Sequence, residues 1–118
     1  MKLAIAGGRT YFNYDRFREI VDEYVKTHGK IDEIISGGAK GVDSLAERYA
    51  NEHNITIKIL KPEYEKYKNK RIAPLMRNTD IVNAATHLLA LPTVNSVGTY
   101  DAIEKARKMK KNVTVIQV

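Results

Sequence analysis

The chain has 118 residues, of which 20 are lysine or arginine and 14 are aspartate or glutamate, so its formal net charge is +6 and favours anionic partners. This length is typical of one domain, and we expect a single domain over residues 1–118. The absence of cysteine excludes disulfides, thiolate zinc sites and cysteine nucleophiles. The first apolar run, residues 3–6, is too short for a signal peptide or a membrane span, so we expect a cytoplasmic protein without membrane association.

The first third of the chain predicts a strand, a helix and a second strand. Residues 3–6 form the first buried strand, which ends at a pair of glycines, and residues 31–35 form the second. Asn13 or Asp15 is a candidate cap for the start of the helix, and Gly29 for its end. The helix has apolar residues at the spacing of one face, namely Phe17, Ile20, Val21, Tyr24 and Val25.

The middle of the chain predicts a second helix and a third strand. The strand covers residues 55–60, and Pro62 ends it. Residues 63–70 are polar and rich in tyrosine, and their pattern matches neither the period of a helix nor that of a strand. The second helix has the most regular pattern of the chain, with one face formed by Val42, Leu45, Ala46, Tyr49 and Ala50.

The last third predicts two more helices and two more strands. One helix covers residues 72–85, where Pro74 is tolerated because it falls in the first turn. Residues 87–91 and 113–118 are the fourth and fifth strands. Between them, residues 98–110 form a helix whose inward side chains are Ala102, Ile103, Ala106 and Met109.

Strands that alternate with helices predict an α/β fold, a Rossmann-like three-layer sandwich around a five-stranded, mostly parallel sheet. We expect the strand order 3-2-1-4-5, with right-handed crossovers that place helices on both faces. Ligands of such sheets bind beyond the carboxyl ends of the strands. A binding site is therefore expected in the loops that follow the strands.

Six of the seven glycines lie in three loops that follow strands, over residues 7–10, 36–41 and 92–99. A tight turn explains one glycine per loop, whereas the clustering favours close approach of a ligand to bare backbone N–H groups at helix N-termini, which bind phosphate. The loops contain neither a P-loop nor a dinucleotide fingerprint. We therefore predict a site for a nucleotide or another phosphorylated ligand.

The second loop supplies most of the candidate phosphate ligands. The backbone at Gly37, Gly38 and Gly41 would wrap a phosphate, with a hydroxyl added by Ser36 or Ser44.

Side chains around these loops add charge and hydroxyl groups. Arg9 could hold a phosphate with two hydrogen bonds or lie in solvent, and Lys40 could reach a phosphate or point to water. Asp43, in the first turn of the second helix, could cap that helix or accept hydrogen bonds from a ribose. Thr99, which follows Gly98, is first a candidate N-cap and second a phosphate ligand.

Four motifs in the same order resemble a known family: Gly-Gly-Arg over residues 7–9, Ser-Gly-Gly-Ala-Lys-Gly-Val-Asp-Ser-Leu-Ala over residues 36–46, Arg77-Asn78, and Gly98-Thr99. The chain resembles the SLOG superfamily, which includes DNA-processing protein A and the LOG cytokinin-activating phosphoribohydrolases, and in particular its stand-alone YspA-like branch. The resemblance implies a Rossmann-like fold with the site at the glycine-rich edge, a nucleotide, nucleotide-derived signal or nucleic acid as ligand, and a homodimer.

The resemblance also implies that Arg77 and Asn78 lie near the ligand, although the sequence alone would place them on a helix surface. The full set of predicted ligand-binding residues is Gly7, Gly8, Arg9, Ser36, Gly37, Gly38, Lys40, Gly41, Asp43, Arg77, Asn78, Gly98 and Thr99.

The chain departs from the LOG enzymes at their catalytic motif, Pro-Gly-Gly-x-Gly-Thr-x-x-Glu, whose last residue is a catalytic carboxylate. The corresponding stretch lacks the double glycine, and Ala102 stands in place of the glutamate. Asp101 stands one position early, which on a helix is a rotation of about 100°. Acid–base chemistry needs a carboxylate within hydrogen-bond reach, so LOG-type hydrolysis is doubtful. Asp43 could serve instead, but nothing in the sequence shows it activated.

Three functions remain open. We favour a sensor or carrier that binds a nucleotide or an ADP-ribose-like ligand, over a phosphoribohydrolase-like enzyme and a module that binds single-stranded nucleic acid. The basic stretch over residues 58–71, with Tyr64 and Tyr67 as stacking platforms, favours the last, although two glutamates among the tyrosines weaken it. The basic stretch over residues 105–111 is expected to be a solvated helix end. The histidines and carboxylates have no metal-site spacing, and we predict no metal or cofactor.

Overall fold

Five parallel strands form one sheet: β1 (Lys2–Gly7), β2 (Glu33–Ser36), β3 (Thr56–Ile59), β4 (His87–Leu91) and β5 (Asn112–Val115). Their order in the computed structural model, which describes all residues from 1 to 118, is β3-β2-β1-β4-β5. The central strand β1 pairs with β2 on one side and with β4 on the other, and all four pairings are parallel. The predicted Rossmann-like fold and strand order are confirmed.

Four helices connect the strands: α1 (Tyr14–His28), α2 (Val42–Glu52), α3 (Ile72–Ala84) and α4 (Val97–Lys108). The stretch without a sequence assignment contains a short 3-10 helix, Tyr64–Lys66. Asn13 caps α1, because its side chain accepts a hydrogen bond from the N–H of Arg16 at 3.1 Å. The prediction that Thr99 caps α4 is wrong, since α4 begins at Val97 and Ser96 occupies the cap position.

The sheet separates two apolar layers. Successive residues of a strand point to opposite faces, so Leu3 and Ile5 pack beneath α1 and α2, whereas Ala4 packs beneath α3 and α4. The predicted inner face of α2 is buried in full, and the inner face of α1 is buried except for the half-buried Val25. Complete burial of one leucine or isoleucine side chain stabilises the fold by about 1.5–3 kcal/mol, so these layers hold the sheet and its loops in place.

The carboxyl ends of β1, β2 and β4 bring three loops to one edge of the sheet. Strand order reverses between β1 and β4, which is where sheets of this type bind ligands. The loops are joined there: the N–H of Gly8 donates to the carbonyl of Leu91 at 3.1 Å, and the N–H of Val42 donates to the carbonyl of Gly8 at 3.1 Å. None of the helices has the length and apolar character needed to cross a membrane.

Candidate functional site

The glycines of the first two loops are required by the packing of the loops themselves. A Cβ atom at Gly37 would lie 2.6 Å from Nη1 of Arg77. Gly41 has a φ of +72°, and a Cβ atom there would overlap the backbone of Gly8 and Arg9. These glycines therefore let the loops pack against each other and against Arg77, and this packing accounts for them without the close approach of a ligand that their clustering predicts.

An open cleft of about 620 Å³ lies beside these loops, between the carboxyl ends of β1 and β4 and the first turns of α3 and α4. Its volume is in the range of small-molecule sites. The predicted residues that line it are Gly7, Arg9, Asp43, Arg77, Asn78, Gly98 and Thr99. The predicted residues that do not line it are Gly8, Ser36, Gly37, Gly38, Lys40 and Gly41.

The two serines proposed as hydroxyl donors stabilise their own loop. Ser36 is fully buried, and its Oγ accepts a hydrogen bond from the N–H of Gly38 at 3.2 Å. The Oγ of Ser44 donates to the carbonyl of Gly41 at 2.6 Å. Lys40 is exposed and lies outside the cleft. The structure therefore does not bring these three side chains to the cleft.

Arg77 is half-buried and spans the space between α3 and the second loop. Its Nη1 donates to the carbonyls of Gly37 at 2.8 Å and Leu60 at 3.3 Å, and its Nε donates to Oδ1 of Asn78 at 3.3 Å. Burial lowers the pKa of Arg77 from its usual value. A guanidinium has five N–H donors, and those on Nη2 make no hydrogen bond within the chain. Because Arg77 lines the cleft, we expect these donors to contact an anion there.

Asn78 links α3 to α4. It is 7% exposed, and its Nδ2 donates to the carbonyl of Gly98 and to Oδ2 of Asp101, both at 3.1 Å. Asp101 also forms an ion pair with Lys105 at 3.0 Å and does not line the cleft. Because its amide is occupied by these bonds, Asn78 positions the side chain of Arg77 and the start of α4.

The N-terminus of α4 leaves several donors without partners. The side chain of its cap residue, Ser96, accepts the N–H of Thr93 at 2.8 Å and makes no bond to the helix. The first helical backbone bond is donated by Tyr100, so the N–H groups of Gly98 and Thr99 have no acceptor in the chain. Thr99 is 5% exposed, lines the cleft, and has a hydroxyl that makes no hydrogen bond within the chain. These donors lie at the positive end of the helix dipole.

Gly98 differs from the loop glycines, because a Cβ atom there would meet nothing within 4 Å. It lies in the first turn of a helix, where glycine is unfavourable relative to alanine. Packing gives no reason for this glycine, which is one of the residues that line the cleft.

Asp43 is the one carboxylate among the residues that line the cleft, and it is 8% exposed. Its Oδ2 accepts the N–H of Ala39 at 3.0 Å, so it stabilises the loop before α2 rather than capping the helix. Burial raises the pKa of Asp43 above its usual value, while the Ala39 bond and the charges of Arg77 and Arg9 oppose that rise. Arg9 is exposed on the rim. The cleft contains one carboxylate, two arginines and the N-terminus of α4. The arginines and the unpaired N–H groups of α4 make it suited to an anion.

Residues 1–67 match the model of the YAcAr family, described as the YspA, cpYpsA-related SLOG family. The chain belongs to this SLOG family. The Gene 61 protein of Mycobacterium phage D29 is 32% identical over an alignment of 81 residues, which covers 64% of this chain and 63% of the phage protein.

Two solved structures share the fold of this SLOG protein. DNA processing protein A from Streptococcus pneumoniae superposes with a TM-score of 0.73 at 16% identity, over 97% of this chain and 49% of that one. DNA processing protein A from Helicobacter pylori, whose structure describes a single-stranded DNA binding mode, superposes with a TM-score of 0.68 at 22% identity, over 98% of this chain and 64% of that one. The SLOG chain thus spans less than two thirds of each of these relatives.

Sequence reasoning missed the wall of the SLOG cleft formed by α3 and the loop after β4. This wall includes the apolar residues Pro74, Leu75, Val94 and Val97. Val94 and Val97 are 83% and 76% exposed. Two valines among the mostly polar residues 93–99 were the signal available in the sequence. The other unpredicted lining residues are Ala6, Thr10, Ala39, Thr93, Asn95 and Ser96. No group of three or more histidine, aspartate or glutamate side chains is arranged to hold a metal ion.

Proposed function

We propose that this SLOG protein binds a nucleotide or a nucleotide-derived, ADP-ribose-like ligand in the cleft and acts as a sensor or carrier. The observation that carries the proposal is Thr99, a buried residue that lines the cleft and whose hydroxyl makes no hydrogen bond within the chain. Thr99 stands beside two unpaired N–H groups at the start of α4, and the same cleft is lined by Arg77, whose Nη2 makes no hydrogen bond within the chain. Together these groups supply the donors that a phosphate requires.

Binding without catalysis is supported by the positions of the carboxylates. Ala102, which stands where LOG enzymes have glutamate, is buried against the sheet. Asp101 is engaged by Asn78 and Lys105. Only Asp43 remains in the cleft, so a hydrolase would need that one group to supply all the acid–base chemistry.

The first experiment is to denature the purified protein and identify any released small molecule by mass spectrometry. The same preparation is then tested for thermal stabilisation by NAD, ADP-ribose and nucleoside mono-, di- and triphosphates, because a ligand of the folded state raises the melting temperature. Recovery of an intact nucleotide supports the sensor, whereas a free base or a sugar phosphate supports the hydrolase. If nothing is released and nothing stabilises the protein, the proposal fails.

Thr99→Val tests the phosphate contact, because valine keeps the branched shape and removes only the hydroxyl. A hydrogen bond to a charged group contributes about 1.5–3 kcal/mol, so the Kd of a stabilising nucleotide should rise at least about 10-fold. Thr27→Val is the matched control, since Thr27 also lies in a helix, outside the cleft, with its hydroxyl bonded to the carbonyl of Glu23. Equal affinities of the two variants would place the phosphate elsewhere.

Binding of single-stranded nucleic acid is the second candidate. It is supported by the fold shared with DNA processing protein A of H. pylori and by the basic stretch around Tyr64, which is 45% exposed. Within that stretch, Lys66 pairs with Glu63 at 2.7 Å and Lys70 donates to the carbonyl of Tyr64 at 2.8 Å, which reduces the charge free for phosphates. Oligonucleotide binding that weakens steeply with salt and with Tyr64→Ala, but not with Thr99→Val, would favour this candidate.

The single domain, the homodimer and the cytoplasmic location expected from the sequence belong to the same proposal. Exposed apolar side chains on α3, Ile72 and Met76, offer surface that a second copy could cover. Light scattering of the purified protein and fractionation of cells that express it test the assembly and the location.

A further inference from the structure

We infer that Asp43 accepts hydrogen bonds from the 2′- and 3′-hydroxyls of a ribose, so that the cleft selects ribonucleotides over 2′-deoxyribonucleotides. This inference rests on the proposed function and goes further by naming the sugar.

The first step is the unused hydrogen-bonding capacity of the Asp43 side chain. An ionised carboxylate has two oxygens and accepts about four hydrogen bonds. Within the chain, Oδ2 accepts one bond, from the N–H of Ala39 at 3.0 Å, and Oδ1 accepts none. The side chain is 8% exposed, and its accessible part faces the cleft. Further donors must therefore come from whatever fills the cleft.

The second step is the chemistry of those donors. A phosphate carries no N–H group and its charge repels a carboxylate, so phosphate belongs with the free donors of Gly98, Thr99 and Arg77 instead. The remaining donors of a nucleotide are its sugar hydroxyls and the amino and ring N–H groups of its base. A vicinal diol presents two O–H groups side by side, which matches the two oxygens of one carboxylate.

The third step concerns the base, which would contact a different part of the cleft. Pro74, Leu75, Val94 and Val97 form an apolar wall of the same cleft, and two of these side chains are largely exposed. Flat aromatic rings gain by contact with such surfaces. In a nucleotide the sugar connects the phosphate to the base, and Asp43 is the cleft carboxylate left to contact it.

The test compares two variants at equivalent helix positions. Asp43 is the second residue of α2 and Asp15 is the second residue of α1, where it is exposed and lies outside the cleft. Asp43→Asn keeps an oxygen for the N–H of Ala39 and removes the charge and one acceptor. Asp15→Asn makes the same chemical change at an exposed position outside the cleft. Both variants are first checked for an unchanged circular dichroism spectrum.

The probes are the 5′-monophosphates of adenosine, guanosine, cytidine and uridine, together with their 2′-deoxy counterparts, titrated by calorimetry. We expect the unmodified protein and Asp15→Asn to bind at least one ribonucleotide about 10-fold or more tightly than its deoxy counterpart, and Asp43→Asn to bind the two alike. Equal binding of the two sugars by the unmodified protein overturns the inference while the proposed function stands. Discrimination that persists in Asp43→Asn also overturns it. If none of these nucleotides binds, the inference fails, and the proposed function is decided separately by stabilisation with NAD, ADP-ribose and nucleoside di- and triphosphates.

Discussion

Replacement of Gly98 by alanine should stabilise the protein and weaken its binding of a nucleotide. Gly98 is in the first turn of α4, its φ is not positive, and a Cβ atom there has no neighbour within 4 Å. Glycine within a helix is less favourable than alanine by about 0.5–1 kcal/mol, because glycine loses more conformational freedom on folding. Nothing in the surrounding structure opposes the added methyl group.

The expected rise in melting temperature follows from the size of the chain. At about 2.1 cal/mol/K per residue, 118 residues give an unfolding entropy of about 0.25 kcal/mol/K. A gain of about 0.5–1 kcal/mol then raises the melting temperature by about 2–4 °C. Gly98 lines the cleft beside the N–H groups proposed to hold a phosphate, so we expect the added methyl group to crowd the ligand. Crowding of a close contact costs about 1–3 kcal/mol, which is about 5-fold or more in Kd.

Calorimetric melting of the ligand-free protein and titration with a stabilising nucleotide measure the two effects separately. Gly29→Ala is the control, because Gly29 also has no neighbour within 4 Å but has a φ of +100° and lies outside the cleft. Alanine there is strained by about 1–3 kcal/mol, so this variant should melt lower and bind normally. A lower melting temperature for Gly98→Ala, or an unchanged Kd, would refute the reasoning.

Two further predictions concern buried polar groups. Tyr24→Phe should leave the free energy of unfolding unchanged or raise it, because the hydroxyl of Tyr24 is buried without a partner. Tyr49→Phe breaks a 2.7 Å hydrogen bond to Asp22 and should lower the free energy of unfolding by about 0.5–1.5 kcal/mol. Urea unfolding measures both effects. Asp43→Asn should raise the free energy of unfolding at pH 7. Burial raises the pKa of Asp43 above 3.8, so the native state of the unmodified protein loses stability as the pH rises through that folded pKa. The advantage over the unmodified protein should disappear below about pH 3.8, and an advantage that is independent of pH would contradict the assignment.

The fold was predictable because its signals are local. The period of α2 and the alternation of apolar runs with helices needed no knowledge of distant residues. The edge strand β5 was predicted over residues 113–118, but the structure ends it at Val115. Beyond that residue the chain still donates from Ile116 to the carbonyl of Ala90 and from Val118 to that of Pro92, so the apolar run continues past the regular strand.

The site was predictable as an edge of the sheet but not as a set of side chains. Gly37 and Gly98 both follow strands, and only the three-dimensional structure shows that Arg77 fills the space beside one while the space beside the other is empty. Asn78 was assigned to the ligand by family resemblance, yet its amide is used to link two helices. No pattern in the sequence indicates that the first turn of α3 forms a wall of the cleft.

Three features mark the cleft, and two of them reduce stability. Asp43 is a buried carboxylate with one oxygen that has no protein donor, and Gly98 lies in a helix with no packing reason. The third is Thr99, a buried residue whose hydroxyl makes no hydrogen bond within the chain. They come from two different helices, so no single local distortion explains them. If these residues served only the fold, their replacement would be expected to lower the stability of the protein. Here replacement of Gly98 or Asp43 should increase stability and reduce binding, which is the behaviour of groups kept for a ligand.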